Sequence, residues 1–113
     1  MTRVSPGVLF EYKIRDYFQA KGYEVMRAAG SRGALDLIVW NDQEIIGIQC
    51  KKEKSKTNHQ QAMDDLQNVK CATNMKLQLW VKSDRDIFIY DNFGRVQLLT
   101  VKEINATIKN NSQ

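Results

Sequence analysis

Proline, histidine and cysteine are scarce in this chain, and each shortage closes off a class of protein. One proline, Pro6, and six glycines in 113 residues leave no Pro- or Gly-rich linker. The chain therefore reads as a single domain, residues 1–113, around one core. A lone histidine, His59, and two cysteines without CxxC spacing, Cys50 and Cys71, do not make the usual zinc sets. Nor do they make a disulfide scaffold, and both read as small buried apolar residues. No apolar run nears the roughly 20 residues that span a bilayer. The start, MTRVSPGVLFEYK, lacks the apolar core and cleavage site of a signal peptide. The expectation is a cytoplasmic, intracellular protein with no membrane association. Acidic excess is missing too: 17 Lys and Arg outnumber 13 Asp and Glu, for a net charge of +4. That sign suits a polyanionic partner, because neutralised phosphates release counterions. An excess this modest selects no partner alone.

What is present is a clear succession of helix and strand signals. Ser5-Pro6 is a helix start, a side-chain cap followed by proline at the first helical position. Phe10, Ile14, Tyr17 and Phe18 follow at helical spacing, and Lys21-Gly22 closes the segment. Tyr23 to Ala28 reads as a short strand, Ala29 to Gly33 as a turn, and Leu35 to Trp40 as a second strand. Asn41-Asp42 marks a tight turn into Glu44 to Lys51, an apolar third strand and so a central one. Lys51 to Lys56 is a basic stretch that reads as a solvated loop. From about Asn58 to Ala72 the apolar set Ala62, Met63, Leu66, Val69 and Ala72 recurs as one helical stripe. Leu77 to Val81, Ile87 to Tyr90 and Val96 to Leu99 are three more strands. Thr100 with Glu103 is a capping box for a last helix. Helices before, between and after strands predict an α/β fold, a mixed sheet covered by helices.

A few polar residues fall where metal ligands converge. Asp36 begins the second strand, and Gln49 and Lys51 end the third, two apart and so on one face. A hairpin centred near residues 42 and 43 pairs positions summing to about 85, which sets Asp36 opposite Gln49. A carboxylate, an amide oxygen and an ammonium then share one place. Such a set suits phosphodiester hydrolysis. Oxygen donors hold Mg²⁺, the ion polarises phosphate and acidifies water, and a lysine orients that water or stabilises developing charge.

The stretch GVLFEYKIRDYFQAKGYEVMRAAGSRGALDLIVW…IIGIQCK resembles the archaeal-type Holliday junction resolvases, a branch of the PD-(D/E)XK nuclease superfamily. The resemblance runs from Gly7 to Lys52; beyond that only the order of elements agrees. It implies a restriction-endonuclease-like mixed β-sheet flanked by helices, and a Mg²⁺-dependent endodeoxyribonuclease, with Mn²⁺ able to substitute. It implies a homodimer that nicks opposed strands of branched DNA. Glu11 matches the family's helix glutamate, Asp36 its aspartate and Lys51 its lysine, while Arg27 and Ser31 match residues used near the scissile phosphate. Glu11, Asp36 and Gln49 are thus the expected metal ligands, with Lys51 and Ser31 in the catalytic set. Arg27, Arg32, Lys52 and Lys54 are the expected DNA contacts. One departure stands out: the family's ExK glutamate is Gln49 here, which removes a negative charge and implies weaker metal affinity. Mrr-like restriction nucleases look like this chain in accepting QxK. The alternatives are therefore an Mrr-like or other DNA endonuclease, or a catalytically inactive nuclease-fold module that binds DNA or a protein.

Plainer readings exist for each residue. Glu11 reads equally as a solvated helix residue, Asp36 as a turn residue and Lys51 as a snorkelling strand end. His59 reads as a surface residue, and Trp40, Trp80, Phe88 and Tyr90 as core or interface. An exposed apolar face on the later strands would be the dimer surface.

Overall fold

A computed structural model describes residues 6–28, 35–53, 60–70, 74–91 and 94–111. The expected cap Ser5, the Ala29–Gly33 turn, His59, Cys71 and Ala72 lie outside the described residues, as do Ser31, Arg32 and Lys54.

The first element, α1 (Pro6–Ala20), buries Phe10, Ile14 and Phe18 along one stripe. It stops where the sequence predicts. Gly22 adopts φ 90°, its N–H donates to Gln19 O at 3.0 Å, and the Tyr23 N–H reaches back to Phe18 O at 3.0 Å. This is a Schellman cap, which needs a left-handed residue that glycine adopts without strain. Its usual apolar contact is present, with the Phe18 and Tyr23 rings 5.0 Å apart edge to face.

Six strands follow: β1 (Glu24–Arg27), β2 (Leu37–Trp40), β3 (Ile45–Glu53), β4 (Met75–Ser83), β5 (Asp86–Asp91) and β6 (Val96–Thr100). They form one sheet in sequence order, antiparallel throughout except for the parallel pair β3–β4 at its centre. Parallel neighbours need a crossover, and α2 (Gln60–Gln67) supplies it. The β2–β3 turn is built by Asn41, whose Oδ1 accepts the N–H groups of Gln43 (2.8 Å) and Glu44 (2.9 Å). α3 (Val101–Asn111) begins at the expected box: the Thr100 hydroxyl accepts the Glu103 N–H at 3.1 Å and donates to its carboxylate at 3.1 Å.

Several elements differ in extent from the sequence-based expectation, β3 and α2 among them. β3 continues past Lys51 through Lys52 and Glu53, because β4 pairs with it as far as Ser83; Lys52 is a strand residue, not loop. α2 is shorter than the Asn58–Ala72 stripe, although Met63 and Val69 still pack beside Ala62 and Leu66.

The sheet has a core on each face. On one, α1 and Ile104 of α3 cover Leu37, Val39, Ile46, Ile48, Trp80, Ile87 and Leu99. On the other, Ala62 and Leu66 of α2 cover Leu77, Leu79 and Val81. The strands alternate between the two, so even residues of β3 face α1 and Gly47 and Gln49 face the α2 side. Leu66 is fully buried, which contributes roughly 1.5–3 kcal/mol of transfer free energy. No helix among the described residues is long and apolar enough to cross a membrane.

Candidate active site

The hairpin register is the expected one, Leu37 with Ile48 through Trp40 with Ile45. At Asp36, however, it slips. The Asp36 N–H donates to Ile48 O at 2.8 Å instead of pairing with Gln49. Side-chain placement confirms the slip: Leu37 joins the α1-side core while Leu35, two residues earlier, packs with the α2-side core. A regular strand cannot send residues i and i+2 to opposite faces. The one-residue offset is that of a β-bulge, a device that re-aims a side chain. Gly47 permits it. Leu35 Cδ1 would lie 2.8 Å from a Cβ at that position, so only glycine leaves Leu35 its full room there.

Asp36 is thereby turned onto the β3 backbone. Its Oδ2 accepts the Cys50 N–H at 2.8 Å, so Asp36 holds main-chain groups on both sides of Gln49. Burial pushes the Asp36 carboxyl up; the Cys50 N–H pulls it back, the Glu11 charge pushes it up again, and Lys51 and Arg27 draw it down. The net shift is upward. Glu11, half-buried on α1, feels Asp36 across this space and accepts Arg27 Nε at 2.8 Å. That hydrogen bond is the chief reason the Arg27 guanidinium is raised. Arg27 carries five donors, and this contact uses its Nε. Tyr12 lies against it, with the guanidinium carbon 5.2 Å from the ring centroid.

Gln49 is only 6% exposed, and its buried Oε1 has no hydrogen-bond partner among the described residues. Leaving such an acceptor unsatisfied costs about 1–3 kcal/mol. Lys51, two residues on, is exposed and close enough to lower the Asp36 carboxyl. Cys50 is a free thiol pushed well up by burial and then by Asp36 and Glu11; such a thiol is inert.

Glu11 and Lys51 thus each act electrostatically on Asp36, and Gln49 lies between the two backbone groups that Asp36 grips. Among the described residues no three His, Cys, Asp or Glu side chains form a metal-binding group; the third donor position holds an amide. The donor chemistry still fits a hard divalent cation: two carboxylates, Asp36 pushed up by burial and by Glu11, and on Gln49 an acceptor oxygen with no donor among the described residues. Sequence reasoning missed the Asp36 offset, the Cys50 N–H that anchors it, and Tyr12. A Gly47 inside an apolar strand was the available signal, since strand glycines mark close approach.

Comparison with known proteins follows the same line. No curated protein matches the chain. Among solved structures, the chain is similar to Hjc, a Holliday junction resolvase from the archaeal hyperthermophile Archaeoglobus fulgidus, with a TM-score of 0.62. That likeness covers 90% of this chain and 89% of the other at 16% identity, and so is one of fold. Residues 3–85 match the family model Mrr_cat, restriction endonuclease. The chain therefore belongs to the Mrr_cat family of restriction endonucleases.

Proposed function

We propose that this chain is a metal-dependent, structure-selective DNA endonuclease that resolves four-way junctions by paired nicks, as an intracellular single-domain protein acting in a homodimer. The observation that carries the reading is the buried Gln49 Oε1, with no donor among the described residues, on the residue between the two β3 backbone groups held by Asp36, a carboxyl pushed up by burial and by the Glu11 charge. Glu11, Asp36 and Gln49 would hold Mg²⁺ or Mn²⁺, and the amide in place of a carboxylate lowers the affinity. When bound, the ion supplies Lewis-acid activation of phosphate and a more acidic water. Asp36 is oriented for its part by the Cys50 N–H. Lys51 faces solvent at the end of β3, where it donates to the attacking water or to the phosphate oxygens as charge builds. Arg27 holds Glu11 with Nε and offers its remaining donors to a phosphate. Ser31, Arg32, Lys52 and Lys54 complete the phosphate contacts in this reading.

The homodimer surface is assigned to β6. Val96 (55% exposed) and Leu98 (57%) are register partners of Tyr90 and Phe88, so four apolar side chains share one face at the sheet's edge strand. Two-fold interfaces are self-complementary, and such a patch pairs with its own copy.

The family match favours a second reading, an Mrr-like nuclease of plain duplex. The test is cleavage of a labelled four-way junction against matched linear duplex, with Mg²⁺ or Mn²⁺, by wild type and Asp36→Asn. Paired symmetric nicks on the junction alone, lost in the variant, are expected. Cutting of both substrates selects the second reading. Tight DNA binding with no cleavage means that Gln49 marks an inactive binding module.

A further inference from the structure

On the side of α1 away from Glu11 lies a groove of about 330 Å³ lined by Leu9, Phe10, Lys13, Lys52 and Lys82. Phe10 is buried, whereas Leu9 is 54% exposed, so the groove has an apolar floor open to solvent. α1, β3 and β4 each contribute one lysine. Lys52 and Lys82 are register partners on adjacent strands, so both leave the sheet on one face. Like charges directly opposite each other destabilise a sheet. Among the described residues neither has an ion pair with a carboxylate, and Lys13 donates to the neutral amide oxygen of Asn105 at 2.6 Å. Among the described residues no acidic side chain lines the groove. Three positive charges are therefore gathered without a counter-charge among the described residues.

The groove is separate from the carboxylate set but beside it. Strand alternation sends Lys51 to one face of β3 and Lys52 to the other. On α1, Lys13 and Glu11 flank the buried stripe on opposite sides, one reaching Asn105 of α3 and the other Arg27 of β1. We propose that this groove binds the sugar–phosphate backbone of DNA next to the cut, with Lys13, Lys52 and Lys82 on phosphates and Leu9 against a deoxyribose. The inference rests on the nuclease reading and adds where the flanking strand runs. Lysines act as point charges without the bidentate geometry that reads a base, so the groove fixes position and not sequence.

The test measures binding of labelled junction and duplex by fluorescence anisotropy across a salt titration, in an Asp36→Asn background that does not cut. Each of Lys13→Ala, Lys52→Ala and Lys82→Ala is expected to lower the slope of log affinity against log salt by about 0.9, and the triple variant by roughly 2 to 3. The loss is the same for any DNA sequence, and Lys82→Arg retains the slope. Lys70→Ala removes one charge just beyond α2, on the other side of the sheet, and leaves the slope unchanged. An unchanged slope in the triple variant of a protein that binds DNA overturns the groove alone. An equal loss in Lys70→Ala also overturns it, because net charge then explains the effect. A parent protein that binds no DNA at any salt overturns both the groove and the nuclease reading.

Discussion

Replacing Gly47 by alanine puts a methyl group where two side chains already meet. The new Cβ would stand 2.8 Å from Leu35 Cδ1, 2.8 Å from Met75 Cε and 3.1 Å from Leu35 Cδ2. Two effects oppose each other. Removing a glycine from a strand interior favours the fold by roughly 0.5–1 kcal/mol. Overpacking a dense core typically costs about 1–3 kcal/mol. All three crowded atoms are the ends of flexible side chains, which keeps the cost near the middle of that range. The balance is a net destabilisation of about 0.5–2 kcal/mol, a fall of several degrees in melting temperature for a domain of this size. Leu35 precedes Asp36 directly, so the displaced leucine also pulls the carboxylate off the Cys50 N–H. Metal-dependent cleavage measured well below the melting temperature is therefore expected to fall as well. A double-mutant cycle with Leu35→Ala isolates the contact, since that change removes two of the three crowded atoms. Its interaction energy is expected to exceed about 0.5 kcal/mol, with Leu35→Ala costing less in the Gly47→Ala background. Unchanged stability in Gly47→Ala, or strict additivity in the cycle, would refute the packing argument and with it the account of how Asp36 is aimed.

Gln49→Glu restores a third carboxylate and is expected to tighten Mn²⁺ binding about tenfold or more, roughly 1.4 kcal/mol, in a calorimetric titration; equal or weaker binding counts against Gln49 as a ligand. Glu44 lies below the ordinary carboxylate range because Lys76 and then Tyr23 donate to it. Its contribution is complete above an unfolded value of roughly 4.3 and is lost as pH falls through the lower folded value. Wild type should therefore lose more stability on acidification than Glu44→Gln, and parallel melting profiles would contradict this. The Tyr23 hydroxyl, pushed up to about 12 chiefly by the Glu44 hydrogen bond, works at the other end of the scale. Its contribution holds below roughly 10 and is lost as pH rises toward the folded value, a decline that Tyr23→Phe should lack. Val96→Asp with Leu98→Asp should convert a dimer into a folded monomer in sedimentation; a monomeric wild type excludes β6 as the contact.

Local rules carried much of the fold into the sequence. Gly22 after a helical stripe marked the end of α1, Asn41 set the β2–β3 turn and hence the register, and Thr100 with Glu103 marked the start of α3. These signals lie within a few residues of the structure they specify. The apolar composition of β3 likewise disclosed its inner position. What stayed hidden depends on contacts between distant segments. The Asp36 offset is decided by Leu35 seating on Gly47, and no hairpin arithmetic contains that contact. The Glu11–Arg27 pair and the Lys13, Lys52 and Lys82 groove draw on different elements, so neither appears as a motif. Lys52 read as part of a basic loop because its strand character comes from pairing with β4. For the site, chemistry by residue type was legible at Asp36, Gln49 and Lys51, while the aim of Asp36 was not.

The parallel pairing of β3 with β4 has a consequence for how the chain reaches this state. β1, β2 and β3 form one antiparallel meander and β4, β5 and β6 another, each closed by neighbouring segments. Among the described strands the central seam alone joins them by backbone pairing, and its first pair, Ile45 with Met75, must bring together residues on either side of α2. Loop-closure entropy is repaid there after local turns have formed. The seam is thus the expected rate-limiting event: Leu79→Ala, within it, slows folding, whereas Val25→Ala, at the far edge of the first meander, mainly speeds unfolding. The carboxylates and Lys51 all belong to the first meander and α1, so that half carries the chemistry while its permanence depends on the other.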